Sequence, residues 1–283
     1  MCEDVLINHL YNKSKDKLSF LQITNFVKDK IFDVKKNDNF KKNAALVDQI
    51  LENLKICDPA IGSGAFAVGM VNLISRLRFS LKDFVERKYK NSTYYFKRDC
   101  IENSIYGVDI DSSAVEIAKL RLWLSLIVDE TNYVSTEALP NLDFKIIQGN
   151  SLLETFKSFK LGETIFIDSK ESRSLEDYMG DESINSLLQE LANLQSIFFK
   201  TISYKKKQKL KKEIQDKIFE IFKTNIKTRQ DFNKRDVDIS RAELNQLISG
   251  RMDRNFFPWK IFFSEVFLKN QGFDIIIGNP PYI

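Results

Sequence analysis

Four short apolar runs punctuate a chain that otherwise reads as helix. They cover residues 55–58, 105–109, 144–148 and 273–277, and each is closed by Gly, Pro or Asp. Brief β-branched runs bounded by turn formers predict strands buried on both faces. Between them lie stretches of helical period. In 65–77, Phe66, Met70, Leu73, Ile74 and Leu77 fall on one stripe. The stretch 112–128 is opened by Asp111, Ser112 or Ser113 as N-cap. Its apolar positions (Val115, Ile117, Leu120, Leu122, Leu124, Ile127) run around much of the circumference, which predicts a well-buried helix. Strands alternating with helices predict a parallel, doubly wound α/β sheet.

Two regions lie outside that alternation. Residues 1–50 read as a helical leader, with Val5, Leu6, Leu10, Leu18, Leu21 and Phe26 as its apolar positions. Residues 154–254 read as a helical insertion. There Leu187, Leu191, Leu194 and Phe198, then Leu210, Ile214, Ile218, Ile221 and Phe222, recur at steps of three and four. That spacing predicts helices packed along a seam, as in an antiparallel or coiled-coil hairpin. The expected organisation is 1–50 leader, 51–153 first half of the sheet domain, 154–254 insertion and 255–283 return to the sheet.

Composition sharpens this picture. The 283 residues include 10 Gly and 5 Pro, less than half of the roughly 7% and 5% of average usage. These breakers are concentrated: Pro59, Pro280 and Pro281, with Gly62, Gly64, Gly107, Gly149 and Gly278, all sit beside the predicted strands. The net charge of +4 hides a division within the insertion. Residues 163–190 carry 8 acidic and 2 basic side chains, and residues 200–236 carry 13 basic and 5 acidic. A single His (His9) argues against Cys/His zinc sites and Ser-His-Asp triads, so no metal site is predicted. Cys2, Cys57 and Cys100 lack metal-ligand spacing and read as reduced thiols. No secretory signal and no apolar run of ~18–20 residues is present, so the expectation is a soluble, cytoplasmic protein without membrane association.

The strand ends carry the chemistry. Asp58-Pro59-Ala60-Ile61-Gly62-Ser63-Gly64-Ala65-Phe66 follows the first strand and opens a helix. Glycines there let backbone approach a ligand, and the helix N-terminus favours an anionic group. Gly62, Gly64 and Ala67 also match the dinucleotide fingerprint loosely, but the next strand-end acid, Asp109, comes much later than that fingerprint expects. Asp109 is placed to hold the two hydroxyls of a ribose, whereas Asp111 fits a helix N-cap better. Asn150, at the tip of the third strand, can donate to and accept from an adenine edge; a plain turn explains it equally well. Asn279-Pro280-Pro281-Tyr282 follows the fourth strand. Two prolines cannot continue a ladder and force a rigid exit. The amide oxygen of Asn279 and a backbone carbonyl can accept both N–H bonds of a conjugated amino group, localising its lone pair, while an aromatic ring stacks on the planar substrate. Methylation of such a nitrogen needs no His.

Together these strings resemble class I S-adenosylmethionine-dependent amino-methyltransferases, and within them DNA adenine-N6 methyltransferases of the gamma order. The segment Phe256-Phe257-Pro258-Trp259, then Phe262-Phe263-Ser264-Glu265-Val266-Phe267, leading into Gly278-Asn279-Pro280-Pro281-Tyr282-Ile283, is similar to the modification part of type IIG/IIS restriction–modification enzymes. The resemblance implies a Rossmann-like methyltransferase sheet and S-adenosylmethionine as cofactor. Around that cofactor it implies Asp58, Pro59, Ala60, Gly62, Gly64 and Phe66, with Asp109 on the ribose, Ile110 on the adenine ring, and Asn150 beside Ser151 at the adenine amino group. It implies Asn279, Pro280, Pro281 and Tyr282 as the catalytic motif, with Tyr282 stacked on a flipped adenine of double-stranded DNA. A complete sheet of this kind has more strands than the four placed here. The expectation is therefore a fragment whose remaining strands and target-recognition domain are supplied in cis or by another chain. Two other readings stay open: a protein glutamine-N5 methyltransferase, which shares the Asn-Pro-Pro-Tyr motif, and a non-catalytic cofactor-binding or scaffolding fragment. The lysine-rich stretch 205–217 could contact phosphates or be a solvated face.

Overall fold

A computed structural model describes residues 1–14, 16–85, 92–128, 140–156, 159–160, 175–201, 203–227, 243, 246–247 and 253–280. The chain divides into two compact units. The first comprises Met1–Val108, Ser113–Ile146 and Phe273–Ile283; the second comprises Asp109–Ser112 and Ile147–Gly272.

Four strands form one sheet in the order β3-β2-β1-β6: β1 (Ile56–Asp58), β2 (Ile105–Asp109), β3 (Ile146–Gln148) and β6 (Ile275–Ile276). A separate antiparallel pair joins β4 (Thr155–Phe156) to β5 (Phe159–Lys160). In the main sheet, β1 runs parallel to β2 and to β6, with Ile56 opposite both Ile105 and Ile275. This is the predicted α/β, Rossmann-like architecture, with all four predicted strands present. Three of them are shorter than the runs read from the sequence: β1 by one residue, β3 and β6 by more. Phe144 stands at φ 64, a left-handed turn, so β3 starts only at Ile146. At β6, the Asp274 carboxylate accepts from the Lys55 N–H, so a side chain takes over part of the ladder.

The first unit is built by helices that bury one stripe each. α1 (Cys2–Ser14) and α2 (Phe20–Lys28) bury Leu6, Ile7, Leu10, Ile23, Phe26 and Val27. Leu21, read from the sequence as a core position, is exposed. Ser19 and Gln22 form a capping box that sets where α2 begins. α3 (Asp38–Lys42) and α4 (Ala44–Asn53) follow, and the apolar side chains of these helices share one core with β1.

The central helix is α5 (Ala65–Leu81), four residues longer than its predicted stripe. It carries Arg78, only 1% exposed. The guanidinium donates to Asp48 (3.2 Å) and Glu52 (2.9 Å) of α4 and pairs closely with Asp99 of α6 (Thr93–Asn103). Phe96 of α6 lies under it, 5.2 Å from ring centroid to guanidinium carbon. A buried cation is tolerated because its donors are met by carboxylates.

α7 (Ser112–Ile127) departs from expectation. Val115, Ala118, Leu122 and Leu126 are buried, but Ile117, Leu120, Leu124 and Ile127 are each about half exposed. Its apolar circumference is therefore covered on one side only.

In the second unit, α8 (Leu175–Lys200) and α9 (Tyr204–Lys227) pair as the predicted hairpin. The α9 seam is as read from the sequence: Leu210, Ile214, Ile218, Ile221 and Phe222 are all buried. On α8 the seam is rotated slightly, to Ile184, Leu188, Leu191 and Phe198, with Leu187 and Leu194 at its margin. The rotation admits a buried Gln195, whose side chain donates to the Phe262 carbonyl and accepts from the Ser264 hydroxyl and the Glu265 N–H. Among the described residues, no helix is long and apolar enough to cross a membrane.

Two stability outcomes follow. Arg78→Met leaves buried Asp48 uncompensated and is expected to cost about 3–5 kcal/mol in denaturant unfolding, whereas Glu52→Gln, at the exposed end of the same network, should cost under about 1 kcal/mol. Burial lowers the His9 pKa below its usual 6.5, against the pull of Asp274. The unfolded state then binds the proton more tightly, so stability present above about pH 6.5 falls as pH drops through that value; His9→Gln should flatten this slope in a pH series of unfolding midpoints.

Candidate active site

In the first unit, the parallel pairing of β6 with β1 brings two distant motifs side by side. A Cβ built on Gly278 would lie 3.0 Å from the Asp58 carboxylate and 3.3 Å from the Pro59 ring, so the backbone entering Asn279 rests directly on the Asp58-Pro59 turn. Asp58 is 2% exposed and accepts from the Ala60 N–H at 3.1 Å. Asn279 and Pro280 are exposed beyond it. Pro281 and Tyr282, the rest of the predicted catalytic motif, lie outside the described residues.

The loop into α5 depends on glycine. Gly62 stands at φ +51 and Gly64 at φ +80. No atom lies within 4 Å of a Cβ at Gly62, whereas one at Gly64 would meet Ala118 of α7 at 3.2 Å. Gly64 is also the α5 N-cap and offers no side-chain acceptor, so the first-turn amides of α5 have no side-chain cap. A positive helix terminus behind an open glycine turn suits the carboxylate of an amino-acid moiety. Phe66 is half-buried on the first turn, as are Pro59 and Ala60 in the loop. Arg121 of α7 reaches the loop and donates to the Ser63 hydroxyl at 3.0 Å. Under the loop, Gly107 gives Ile61 its room: a Cβ there would lie 2.3 Å from the Ile61 Cδ1.

In the second unit, Asp109 and Asn150 each shape a turn. The Asp109 carboxylate accepts from the Asp111 N–H, and the Asp109 carbonyl accepts from the Gly149 N–H at 2.8 Å. Ile110 is 61% exposed, a large apolar side chain presented at a strand end. The Asn150 side-chain oxygen accepts from the Leu152 N–H at 3.1 Å, so the oxygen is committed to the turn. Ser151 holds the segment by its carbonyl, which accepts from the Trp259 indole at 3.0 Å.

Two residues that hold this turn, Gln148 at its start and Arg254 against it, were given no role by motif reasoning. Gln148 donates to the Ile110 and Arg254 carbonyls and accepts from the Arg254 N–H. Arg254 donates in turn to the Gln148 and Leu247 carbonyls and stacks over Phe262, 4.9 Å from the ring centroid. Burial lowers its pKa to about 10, so it stays protonated at neutral pH. Gly149 is fixed against the same segment, since a Cβ there would lie 2.7 Å from the Phe257 ring. The aromatic run Phe256-Phe257-Pro258-Trp259 is thus the backing of the Gln148–Ser151 turn. The only sequence signal for this was its density of aromatic residues.

The thiols stand apart from this chemistry. All three cysteines are free, and burial pushes Cys57 well up and Cys100 to about 12, so neither is a thiolate near neutrality.

Gly64→Ala is expected to lower stability by about 1–2 kcal/mol, from the left-handed backbone and the crowding at Ala118. Gly62→Ala, with open space around it, should cost only about 1 kcal/mol. Chemical denaturation of the two variants distinguishes these costs.

Residues 103–283 match the model of the Eco57I restriction-modification methylase family. A putative type II restriction enzyme and methyltransferase of Methanocaldococcus jannaschii is 28% identical over 277 residues, covering 84% of this chain and 23% of that protein. A type II restriction enzyme and methyltransferase of Escherichia coli is 28% identical over 155 residues, covering 48% of this chain and 15% of its own length. The chain thus spans less than a quarter of the length of either relative. No solved structure matches. The family model covers well over half of the chain and includes the Asp109, Asn150 and Asn279 turns: this chain belongs to the Eco57I restriction-modification methylase family.

Proposed function

We propose that this chain is the cofactor-binding and catalytic part of a DNA methyltransferase of a restriction–modification system, acting on the N6 amino group of adenine. The observation that carries the reading is the seating of Gly278-Asn279 on Asp58-Pro59 at the ends of adjacent parallel strands. It sets the backbone that enters Asn279 against the turn that leads into the Gly62–Gly64 loop, which supports this reading. S-adenosylmethionine supplies the electrophilic methyl group when bound.

In this reading the Gly62–Gly64 turn and the α5 amides hold the methionine carboxylate. Asp109 accepts from the ribose hydroxyls, Ile110 covers one face of the adenine ring, and the Asn150 NH2 group donates to that ring's edge, with Ser151 fixing the turn. The Asn279 side-chain oxygen and the Pro280 carbonyl accept the two N–H bonds of the target amino group. That draws the nitrogen toward tetrahedral geometry and aims its lone pair at the methyl carbon. With the cofactor bound, transfer would exchange its carbon–sulfur bond for a nitrogen–carbon bond, and Asn279 and the Pro280 carbonyl would hold the amino group while its extra proton passes to solvent. Pro281 keeps the exit rigid and Tyr282 stacks on the extruded base. The named activities of both relatives favour DNA over a protein amide as substrate. Strands and a recognition module beyond this chain, in cis or from another chain, complete the enzyme in this reading.

A transfer assay with methyl-labelled cofactor tests the reading on the intact protein, using duplexes with and without adenine and a glutamine peptide. Label is expected only in adenine-containing duplex. Asn279→Ala should lower transfer by about 10²-fold or more while calorimetric cofactor binding stays within about threefold. Full transfer by that variant overturns the catalytic assignment, and label in the peptide alone overturns the substrate.

A further inference from the structure

The hairpin helix α9 has a face that neither the fold nor the proposed chemistry uses. Lys205, Lys206, Lys207, Lys209, Lys211 and Lys212 crowd its first nine residues, Tyr204–Lys212, with no acidic side chain among them. Helix geometry sorts them. Leu210, Ile214, Ile218 and Ile221 define the buried seam. Lys205, Lys209 and Lys212, spaced four and three apart, line the opposite side and are exposed.

This placement works against the helix. The first turns of a helix carry the positive end of its dipole, where cations are unfavourable. Lysines four apart, as at Lys205 and Lys209 or Lys207 and Lys211, repel one another. Among the described residues, Lys205, Lys206, Lys207 and Lys212 have no carboxylate partner. Lys209 has one in Glu213 at 3.7 Å, but with the lysine N-terminal, the weaker orientation. The second half of α9 is different: Lys217 bonds Glu190 of α8 and Glu220, both at 2.8 Å, and these bonds raise its pKa. Lys217 is thus paired where α9 meets α8, while lysines gather on the face opposite the seam.

We propose that Lys205, Lys209 and Lys212 form a strip that binds the phosphate backbone of duplex DNA independently of sequence. Over the strip's length of about 10 Å, one strand presents about three phosphates. Three ammonium groups, carried on a helix anchored by a dry seam, match that run of charge. The strip holds DNA to the protein without reading bases, so it supplies affinity and encounter rate and leaves specificity to other surfaces. The inference rests on DNA being the substrate, although its test does not depend on methyl transfer.

The test is the salt dependence of binding of the intact protein to a duplex of arbitrary sequence, followed by fluorescence anisotropy. Replacing Lys205, Lys209 and Lys212 together by Gln should lower the slope of log affinity against log salt by about 2–3. At low salt the triple variant should bind about tenfold or more weakly, with unchanged helical circular dichroism and cofactor affinity. Lys217→Gln, which removes a lysine already occupied by carboxylates, should leave the slope as it is. An unchanged slope in the triple variant overturns the strip, whatever that variant does to binding of polyglutamate. A reduced slope in a protein that fails to methylate DNA upholds the strip and overturns the proposed reaction instead.

Discussion

One buried cation organises the first unit. Arg78 takes carboxylates from α4 and α6 and an aromatic face from α6, so three helices meet at a single guanidinium. Such a group is expensive to desolvate, and its cost is offset only when every partner is in position. The arrangement thereby selects one packing of α4, α5 and α6 over the many that apolar contacts alone would allow. Because α5 begins at Gly64, the same constraint fixes the direction from which the glycine loop meets the end of β1.

The site built on that frame is largely a backbone device. Positive φ at Gly62 and Gly64, the clearance that Gly107 gives Ile61, and the seating of Gly278 on Asp58 are all conditions on main-chain approach. Within the second unit side chains act as fasteners instead: Gln148 and Arg254 tie the Gln148–Ser151 turn to the aromatic segment behind it. Chemistry that works by holding two hydrogens and a lone pair in fixed directions needs rigidity more than acidity. The proposed reaction makes no demand on the single imidazole or on the buried thiols Cys57 and Cys100.

Local signals were legible in the sequence and long-range ones were not. The four strands announced themselves because fully buried parallel strands are continuously apolar and their turns need Gly, Pro or Asp. The α9 seam was legible for the same kind of reason, a period that only one face can satisfy. Arg78 was silent, since an arginine within an apolar helix carries no mark of partners 21 to 30 residues away. The α7 helix misled in the other direction: apolar residues on all sides describe composition, and burial depends on what neighbouring elements cover. The ends of β3 and β6 were set by Phe144 in a left-handed turn and by the Asp274 side chain, neither of which has a sequence period. Gln148 lies in the string that ends the third strand, but its contact with Arg254 spans 106 residues and leaves no local mark.

The bond between Lys55 and Asp274 spans 219 residues. The Arg78 ion pairs close loops of no more than 30 residues, within the first hundred of the chain. Loop closure grows costlier with length, and a growing polypeptide offers its N-terminal segments first. The scaffold can therefore be complete while β6 is still unsynthesised, and β1 must wait with one edge unmatched. Asp58 and Gly278 can meet only after that scaffold has had the chance to form. The helices of the first unit can therefore be packed before the turn after β1 and the turn after β6 are brought together.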